Sequence, residues 1–159
     1  MASHVAATHS AEHKLPAFED LWEAYPDEGQ SDILKSIGQA KEGPWRRDTP
    51  SALKLSVALA SCGYKLPRTF VHKSEELKDK EGNILCVEVS DLVDAIKSHV
   101  GGSKNVSDVA KIAGKQGIVY FEDEEEVKDQ SGHVTLFNGQ QCKGEEYFTS
   151  AKKTHFWEM

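Results

Sequence analysis

Apolar residues recur at helical spacing in several parts of the chain. The first stripe predicts a short amphipathic helix that ends before Pro26, with apolar residues at i, i+3, i+4 and i+7: Phe18, Leu21, Trp22 and Tyr25. Similar spacing predicts a second helix over residues 31–39 and another over residues 90–100, each with a serine at its start. A shorter helix is expected over residues 106–113, after a pair of glycines.

The most apolar of these segments covers residues 49–62. Thr49 is placed to cap a helix, and Pro50 suits the first helical position because its missing N–H would be unpaired there anyway. Apolar residues lie almost all round this helix, which is typical of a helix buried in the middle of a domain, and Gly63 suits its C-terminal end. Ser51 therefore lies in the first turn of a central helix.

Strand patterns are concentrated in the second half of the chain. The predicted strands cover residues 84–89, 118–121, 133–137 and 154–159, and residues 68–72 are a further extended candidate. The acidic run at residues 122–126 is expected to be a solvated loop. Because helices come first and strands follow with one helix between them, the order indicates an α+β fold, with a central helix packed on an antiparallel sheet.

Length and charge narrow the class of protein. The chain has 159 residues, the usual size of one domain, and a formal net charge of -7, which disfavours a nucleic-acid partner because such proteins usually carry a basic face. No run approaches the roughly 18 apolar residues of a membrane span, and the N-terminus lacks the apolar core of a secretory signal. Residues 1–15 show no periodicity and are expected to form a flexible leader before a single domain at 16–159.

The cysteines and histidines give no sign of a metal site. Cys62, Cys86 and Cys142 are an odd number without a close pair, which predicts reduced thiols rather than a disulfide framework. Neither these cysteines nor the 7 histidines show the spacing of a tetrahedral zinc site. We therefore expect no metal and no organic cofactor.

The start of the central helix and the strand that begins with His133 together suggest nucleophilic catalysis. A nucleophile at a helix N-terminus receives the positive end of the helix dipole, and the unpaired N–H groups there can hold an oxyanion. A histidine on a strand facing that helix end can act as the base, while a third polar group fixes the orientation of its ring. Papain-like hydrolases use a thiol for this chemistry, but the chain carries the hydroxyl of Ser51.

Five segments, spread over most of the chain, carry a resemblance to a known family. They are residues 18–26 (F-x-x-L-W-x-x-Y-P in the family), 51–67 (C-A-x-R-L-S-x-A-L-N-x-x-G-x-x-x-P), 117–121 (G-I-I-x-F), 131–139 (G-H-x-x-L-W-N-G) and the aromatic ending at 155–159. In number and order these segments resemble the type VI secretion amidase effectors of the fourth family, which are relatives of the NlpC/P60 and papain-like peptidases. The resemblance implies a papain-like, NlpC/P60-like α+β fold.

Three positions depart from the family's pattern. Ser51 stands where the family has its nucleophilic cysteine, and Lys54 stands where it has an arginine. The family's third catalytic residue is an acid in a Cys-x-Asp region after the histidine strand, and Gly144 falls on that position. The resemblance therefore leaves both the nucleophile and the orienting acid in question.

The resemblance also implies roles for the remaining residues of the site. Ser51 occupies the nucleophile position, His133 is the base, and Glu145, displaced by one residue, is the orienting group, with Asn138 as the alternative. Asn138 and Trp45 are further expected to contact the substrate. Because a serine hydroxyl is far less acidic than a thiol, activity should be largely lost. A deliberate Cys→Ser inactivation and a natural non-catalytic relative would both explain Ser51.

For the function, the resemblance implies a peptidoglycan amidase, a DL-endopeptidase that cuts the D-glutamyl-diaminopimelate bond of the cell-wall stem peptide. Such a protein is an antibacterial toxin, made in the cytoplasm of a producer and delivered to the periplasm or cell wall of target bacteria, and a cognate immunity protein blocks its groove. Two other interpretations remain open. One is a pseudoenzyme or binding module that recognises cell-wall peptide or a protein partner, and the other is an acyltransferase on the same scaffold.

Overall fold

The structure, a computed structural model, describes residues 15–27, 32–33, 51–66, 77–86, 89–122, 132–144, 146–149 and 151–159. The helices in this part of the chain are α1 (Phe18–Ala24), α2 (Ser51–Ser61) and α3 (Val89–Val100), and a 3-10 helix covers Val109–Ile112. The strands are β1 (Leu77–Lys78), β2 (Ile84–Leu85), β3 (Lys104–Val106), β4 (Gly117–Glu122), β5 (His133–Phe137) and β6 (Lys153–Glu158).

Four of these strands form one antiparallel sheet in the order β3-β6-β4-β5. His133 of β5 lies directly opposite Phe121 of β4, and Tyr120 of β4 lies opposite His155 of β6. β1 and β2 form a separate antiparallel pair. β5 is the last strand in this order, so one of its backbone edges is not paired with a strand of the larger sheet.

Helix α2 lies in the main core and packs against β5. Its apolar residues are buried on nearly every side of the helix, as the sequence pattern predicts: Ala52, Leu53, Leu55, Ala58 and Leu59. The buried hydroxyl of Ser56 accepts a hydrogen bond from the N–H of Cys86 and donates one to the carbonyl of the same residue. This pair of bonds fixes the middle of α2 to the chain that follows β2.

The C-terminal end of α2 is closed by two backbone hydrogen bonds. The N–H of Tyr64 donates to the carbonyl of Leu59, and the N–H of Gly63 donates to the carbonyl of Ala60. This is the bond pattern of a Schellman cap, in which carbonyls left over at the helix end are satisfied. Gly63 therefore ends the helix where the sequence predicts.

The four-stranded sheet is covered on both faces in the described part of the chain. One face packs on the helices through alternate strand residues: Ile118, Tyr120, Val134, Leu136 and Trp157. The other face forms a second cluster around the 3-10 helix: Ile112, Val119, Phe121, Phe137 and Phe156. Since successive strand residues point to opposite faces, His133 lies on the second face and Val134 on the helix face.

The predicted α+β architecture, with a central helix on an antiparallel sheet, is confirmed. Helices α1, α2 and α3 and strands β4, β5 and β6 lie within one or two residues of their predicted bounds. The predicted helix at 31–39 falls outside the described residues except for Asp32 and Ile33, which are helical. The extended segment at 68–72 and most of the acidic run at 122–126 also lie outside them.

Two predicted elements differ from the structure. Ile84–Leu85 are the strand residues that the structure describes within the predicted range 84–89, and Val89 begins α3 instead, with its side chain buried in the main core. The short helix predicted over 106–113 is confined to the 3-10 helix Val109–Ile112, and Val106 ends a strand, β3, that the sequence pattern did not predict. β3 exists because it pairs with β6, a tertiary contact that its own residues do not signal. Among the described residues, no helix is both long and apolar enough to cross a membrane.

Candidate active site

The N-terminus of α2 meets the edge of β5. Ser51 is the first described residue of α2 and is 2% exposed. Its hydroxyl oxygen accepts a hydrogen bond of 3.4 Å from the backbone N–H of Val134, the residue that follows His133. Tertiary structure therefore brings the predicted nucleophile position to the strand that carries the predicted base. The N–H groups of the first turn, which a helix leaves without partners of its own, lie at the same end of α2.

His133 is enclosed by aromatic rings. Its imidazole stacks on Phe121 at a centroid distance of 6.2 Å and meets the ring of Tyr147 edge-on at 5.2 Å. Both ring nitrogens are buried, and neither has a hydrogen-bond partner among the described residues. In a typical catalytic triad one imidazole nitrogen is bound to an orienting group.

The surroundings of His133 favour its neutral form. Burial, together with the positive charge of Lys54 one turn along α2 from Ser51, lowers the pKa of His133 from 6.5 to about 4. At neutral pH the imidazole is therefore uncharged and able to accept a proton. The same surroundings make the imidazolium, which forms during proton transfer, costly.

The backbone at position 132, directly before His133, requires a glycine. Its φ of 123° lies in the region that L side chains rarely adopt, and a Cβ at this position would collide with the carbonyl oxygen of Phe121. The chain can therefore enter β5 close to β4 only without a side chain at position 132. The glycine of the Gly-His pair is therefore required by the backbone at this position.

The region of the third catalytic position folds back on β5. The hydroxyl of Thr135 donates a hydrogen bond of 2.6 Å to the carbonyl of Lys143, and the N–H of Lys143 donates to the carbonyl of Leu136. Thr135 is two residues from His133 and therefore on the same face of the sheet. Gly144, which the sequence resemblance places at the acid position, follows directly, and it is exposed with a φ of 98°.

Helix α1 braces this returning segment. The ammonium of Lys143 lies 4.6 Å from the centre of the Trp22 ring, a cation–π contact. The hydroxyl of Tyr25 lies 3.5 Å from that of Thr135, and burial raises the pKa of Tyr25 to about 12. Two aromatic residues of the first motif thus support the segment that carries position 144.

The remaining predicted site residues are placed as follows. The side-chain oxygen of Asn138 accepts hydrogen bonds from the N–H groups of Gln140 and Gln141, so this oxygen closes the turn after β5. Glu145 and Trp45 lie outside the described residues. Their roles in orienting the imidazole and in binding substrate stay predictions, as does the substrate role of Asn138.

Two neighbours of His133 were not recognised from the sequence. Tyr147 follows the turn after β5, and only the fold of residues 138–148 brings its ring to the imidazole. Lys54 was noted as a departure from the family's arginine, but its charge acts on His133 because α2 meets β5. A basic residue one helical turn after the nucleophile position was the available signal for Lys54, whereas Tyr147 had none.

A second histidine of the same sheet, His155, differs from His133 because both of its ring nitrogens have hydrogen-bond partners. Its two ring nitrogens lie 3.1 Å from the hydroxyl of Ser103 and 2.9 Å from a carboxylate oxygen of Glu122, and its ring stacks on Tyr120. The hydrogen bond from His155 is the main cause that lowers the pKa of Glu122. This network joins the residue before β3 to β6 and β4.

A cavity of about 700 Å³ lies near β3 and the ends of α3 and β6, and includes His99, Trp157 and Met159 in its lining. Neither Ser51 nor His133 lines it. We assign the candidate active site by the hydrogen bonding and ring contacts around those two residues rather than by this cavity. In the part of the chain that the structure describes, no group of three or more His, Cys, Asp or Glu side chains could hold a metal ion.

Solved structures show the same fold. The type VI effector Tae4 from Enterobacter cloacae matches with a TM-score of 0.79 at 24% identity, over 93% of this chain and 99% of that one. The Tae4–Tai4 effector–immunity complex from the same organism matches with a TM-score of 0.76 at 22% identity, over 92% and 99%. Tae4 from Salmonella typhimurium, in complex with the Enterobacter cloacae immunity protein Tai4, matches with a TM-score of 0.78 at 19% identity, over 91% and 99%.

A search of curated protein sequences finds no significant match. The family comparison is decisive: residues 49–157 match the family described as type VI secretion system amidase effector protein 4, Tae4. This match includes Ser51, His133 and the segment that carries Gly144, and it spans more than half of the 159 residues. The chain therefore belongs to the Tae4 family of type VI secretion amidase effectors.

Proposed function

We propose that this chain has the scaffold of a DL-endopeptidase that cuts the D-glutamyl-diaminopimelate amide of peptidoglycan, and that Ser51 makes it largely inactive. The observation that supports the proposal is the hydrogen bond between Val134 and Ser51, which joins the helix start to the strand of His133. The family's chemistry needs these two elements in contact. The substrate itself comes from the family and not from the geometry.

With a cysteine at position 51, the reaction would run as follows. His133 takes the proton of the thiol, the thiolate attacks the amide carbon, and the resulting oxyanion is held by N–H groups at the start of α2. The C–N bond breaks, the leaving amine takes a proton from His133, and the acyl group stays on the sulfur. A water molecule then gives a proton to His133 and attacks the acyl carbon, the C–S bond breaks, and the sulfur takes the proton back from His133, which restores the thiol.

A serine at position 51 weakens the first step. Its hydroxyl must lose a proton during attack, and the acceptor is an imidazole whose pKa of about 4 makes it a weak base. The thiolate of a cysteine would itself stabilise a protonated His133 through its negative charge, but a hydroxyl brings no such charge. Ser51 and the lowered pKa of His133 thus act in the same direction, against catalysis.

The test is to restore the thiol. Purified Ser51→Cys protein is incubated with diaminopimelate-type peptidoglycan, and soluble products are separated and identified by mass spectrometry. The expected result is new muropeptides cut after D-glutamate, with the unchanged chain at background and the double variant Ser51→Cys, His133→Ala inactive. If Ser51→Cys gives no new muropeptides although it folds, the catalytic proposal is wrong.

A second candidate is a non-catalytic module that binds cell-wall peptide. One observation favours it, since the Ser51 hydroxyl is buried and already bonded to Val134. The placement of Gly144 at the acid position, which the sequence resemblance implies, points the same way. Co-sedimentation of the unchanged chain with intact sacculi distinguishes this candidate. Saturable binding together with an inactive Ser51→Cys variant would support the binding module over the amidase.

Delivery and inhibition follow from the family. We infer that the chain is delivered by a type VI secretion system as an antibacterial toxin and acts in the periplasm or cell wall of the recipient. Related effectors are found in complexes with the immunity protein Tai4. We infer that a cognate immunity protein of the same kind protects the producing cells against this chain.

A further inference from the structure

The imidazole of His133 has no hydrogen bond from the described residues to hold its ring in place. The acid position is Gly144, which has no side chain to offer, and both ring nitrogens lack a hydrogen-bond partner among the described residues. A buried ring without hydrogen bonds is free to turn about its Cβ–Cγ bond unless packing prevents it. The neighbours that pack on this ring are therefore the groups to consider.

Two aromatic rings enclose His133 from different directions. Phe121 lies opposite it on β4 and stacks on its face, with an interplanar angle of 25°. Tyr147 meets it edge-on, with an interplanar angle of 69° at 5.2 Å, the shorter of the two centroid distances. Offset-stacked and edge-to-face contacts are the arrangements that aromatic pairs prefer. Together they restrict both the tilt and the rotation of the imidazole.

Tyr147 is itself held in place. Its ring meets Phe121 edge-on at 5.8 Å, so the three rings of His133, Phe121 and Tyr147 contact one another in pairs. The segment before Tyr147 is fixed to β5 by the bond from Thr135 to the carbonyl of Lys143. A bond from the N–H of Cys142 to the carboxylate of Glu146 tightens the same segment. Tyr147 therefore reaches His133 from a braced backbone.

We propose that Tyr147 is a positioning residue which, with Phe121, orients the imidazole of His133 in place of the family's carboxylate. The proposal rests on the proposed function for its catalytic meaning, whereas the ring contacts stand independently of it. An aromatic ring can orient the imidazole but, unlike a carboxylate, brings no negative charge to stabilise an imidazolium. Among the described residues, the charged group that acts on His133 is Lys54 of α2, which opposes protonation.

The first test needs no enzymatic activity. In the unchanged chain, the ring protons of His133 are followed by NMR and identified by their loss in His133→Gln. Tyr147→Leu removes the ring and keeps apolar bulk, Tyr147→Phe keeps the ring, and Phe148→Leu is the matched control. Phe148 packs on Phe121 and Phe137 in the same cluster.

We expect Tyr147→Leu to shift the His133 ring signals and to move its pKa upward toward the ordinary value. Tyr147→Phe should leave both unchanged, and Phe148→Leu should leave them nearly so. Unchanged His133 signals in Tyr147→Leu would overturn the proposal, as would equal effects of Phe148→Leu and Tyr147→Leu. If Tyr147→Leu fails to fold by circular dichroism, Tyr147→Met, which fills the space with a flexible side chain, takes its place.

The second test measures catalysis in the Ser51→Cys background. Loss of one aromatic contact should lower kcat about two- to tenfold with KM unchanged, because orientation of the base matters only in the chemical step. Tyr147→Phe should keep full kcat. A change in KM alone would contradict a positioning role. If Ser51→Cys is inactive while the NMR result holds, the proposed function fails but the ring contact with His133 stands.

Discussion

Acidification should destabilise this protein through His133 in a defined pH range. Its pKa is lowered to about 4 in the folded chain, against 6.5 for the free side chain. In that interval the unfolded chain binds a proton at this position and the folded chain does not. The free energy of unfolding therefore falls as the pH is lowered from about 6.5 to about 4, and the effect levels off below that.

The magnitude follows from the same two values. Each pKa unit of difference between the folded and unfolded chain corresponds to about 1.36 kcal/mol, so the full difference would contribute at most about 3 to 4 kcal/mol. Local rearrangement that lets water reach the protonated ring would reduce this figure. Burial lowers the pKa of His133 more than the charge of Lys54 does, and substitution of Lys54 removes only the smaller of these two causes. Lys54→Met should move the pKa of His133 upward only in part.

The assay is urea unfolding followed by tryptophan fluorescence at several pH values between about 4 and 7.5. His133→Gln, which keeps a polar side chain but does not titrate, is measured in parallel. Since carboxylates and the other histidines contribute to both proteins alike, the difference between the two curves isolates His133. Parallel curves would refute the argument that His133 is buried in its neutral form.

Two further predictions concern α2 and position 144. Ser56→Ala should lower the free energy of unfolding by about 2 kcal/mol, because it leaves the buried N–H and carbonyl of Cys86 without their partner. The control is Ser61→Ala, an exposed position on the same helix, which should change the free energy of unfolding little; equal losses in urea unfolding would contradict this role of Ser56. Gly144→Asp in the Ser51→Cys background should raise kcat for peptidoglycan cleavage, at a cost of about 1 kcal/mol in stability from its positive φ. An unchanged pH–rate profile would show that the new carboxylate does not reach His133.

The sequence pattern was sufficient to predict a helix or strand wherever the residues of that element alone show its periodicity. The apolar surround of α2 and the glycine after it predict a buried helix with a defined end, and both are present. Strand β5 was equally clear, because residues 133–137 follow a glycine and are rich in apolar and β-branched side chains. These two elements contain Ser51 and His133, so the helix start and the strand that the structure brings together could both be predicted.

Elements whose existence depends on a partner could not be predicted in the same way. β3 has two exposed residues and one half-buried residue, and it is a strand because β6 pairs with it. Val89 fits a strand by composition but begins α3, where its side chain enters the main core. In both cases a tertiary contact outweighs a weak local preference.

The sequence by itself determined the α+β class, the helix that begins near Ser51 and the strand that begins at His133. Only the tertiary structure decided that the Ser51 hydroxyl bonds to the strand of His133, that the segment after β5 folds back onto Thr135, and that Tyr147 reaches the imidazole. The physical reason is distance along the chain. A helix or strand is encoded in the periodicity of neighbouring residues, whereas contacts between remote segments depend on how those elements pack.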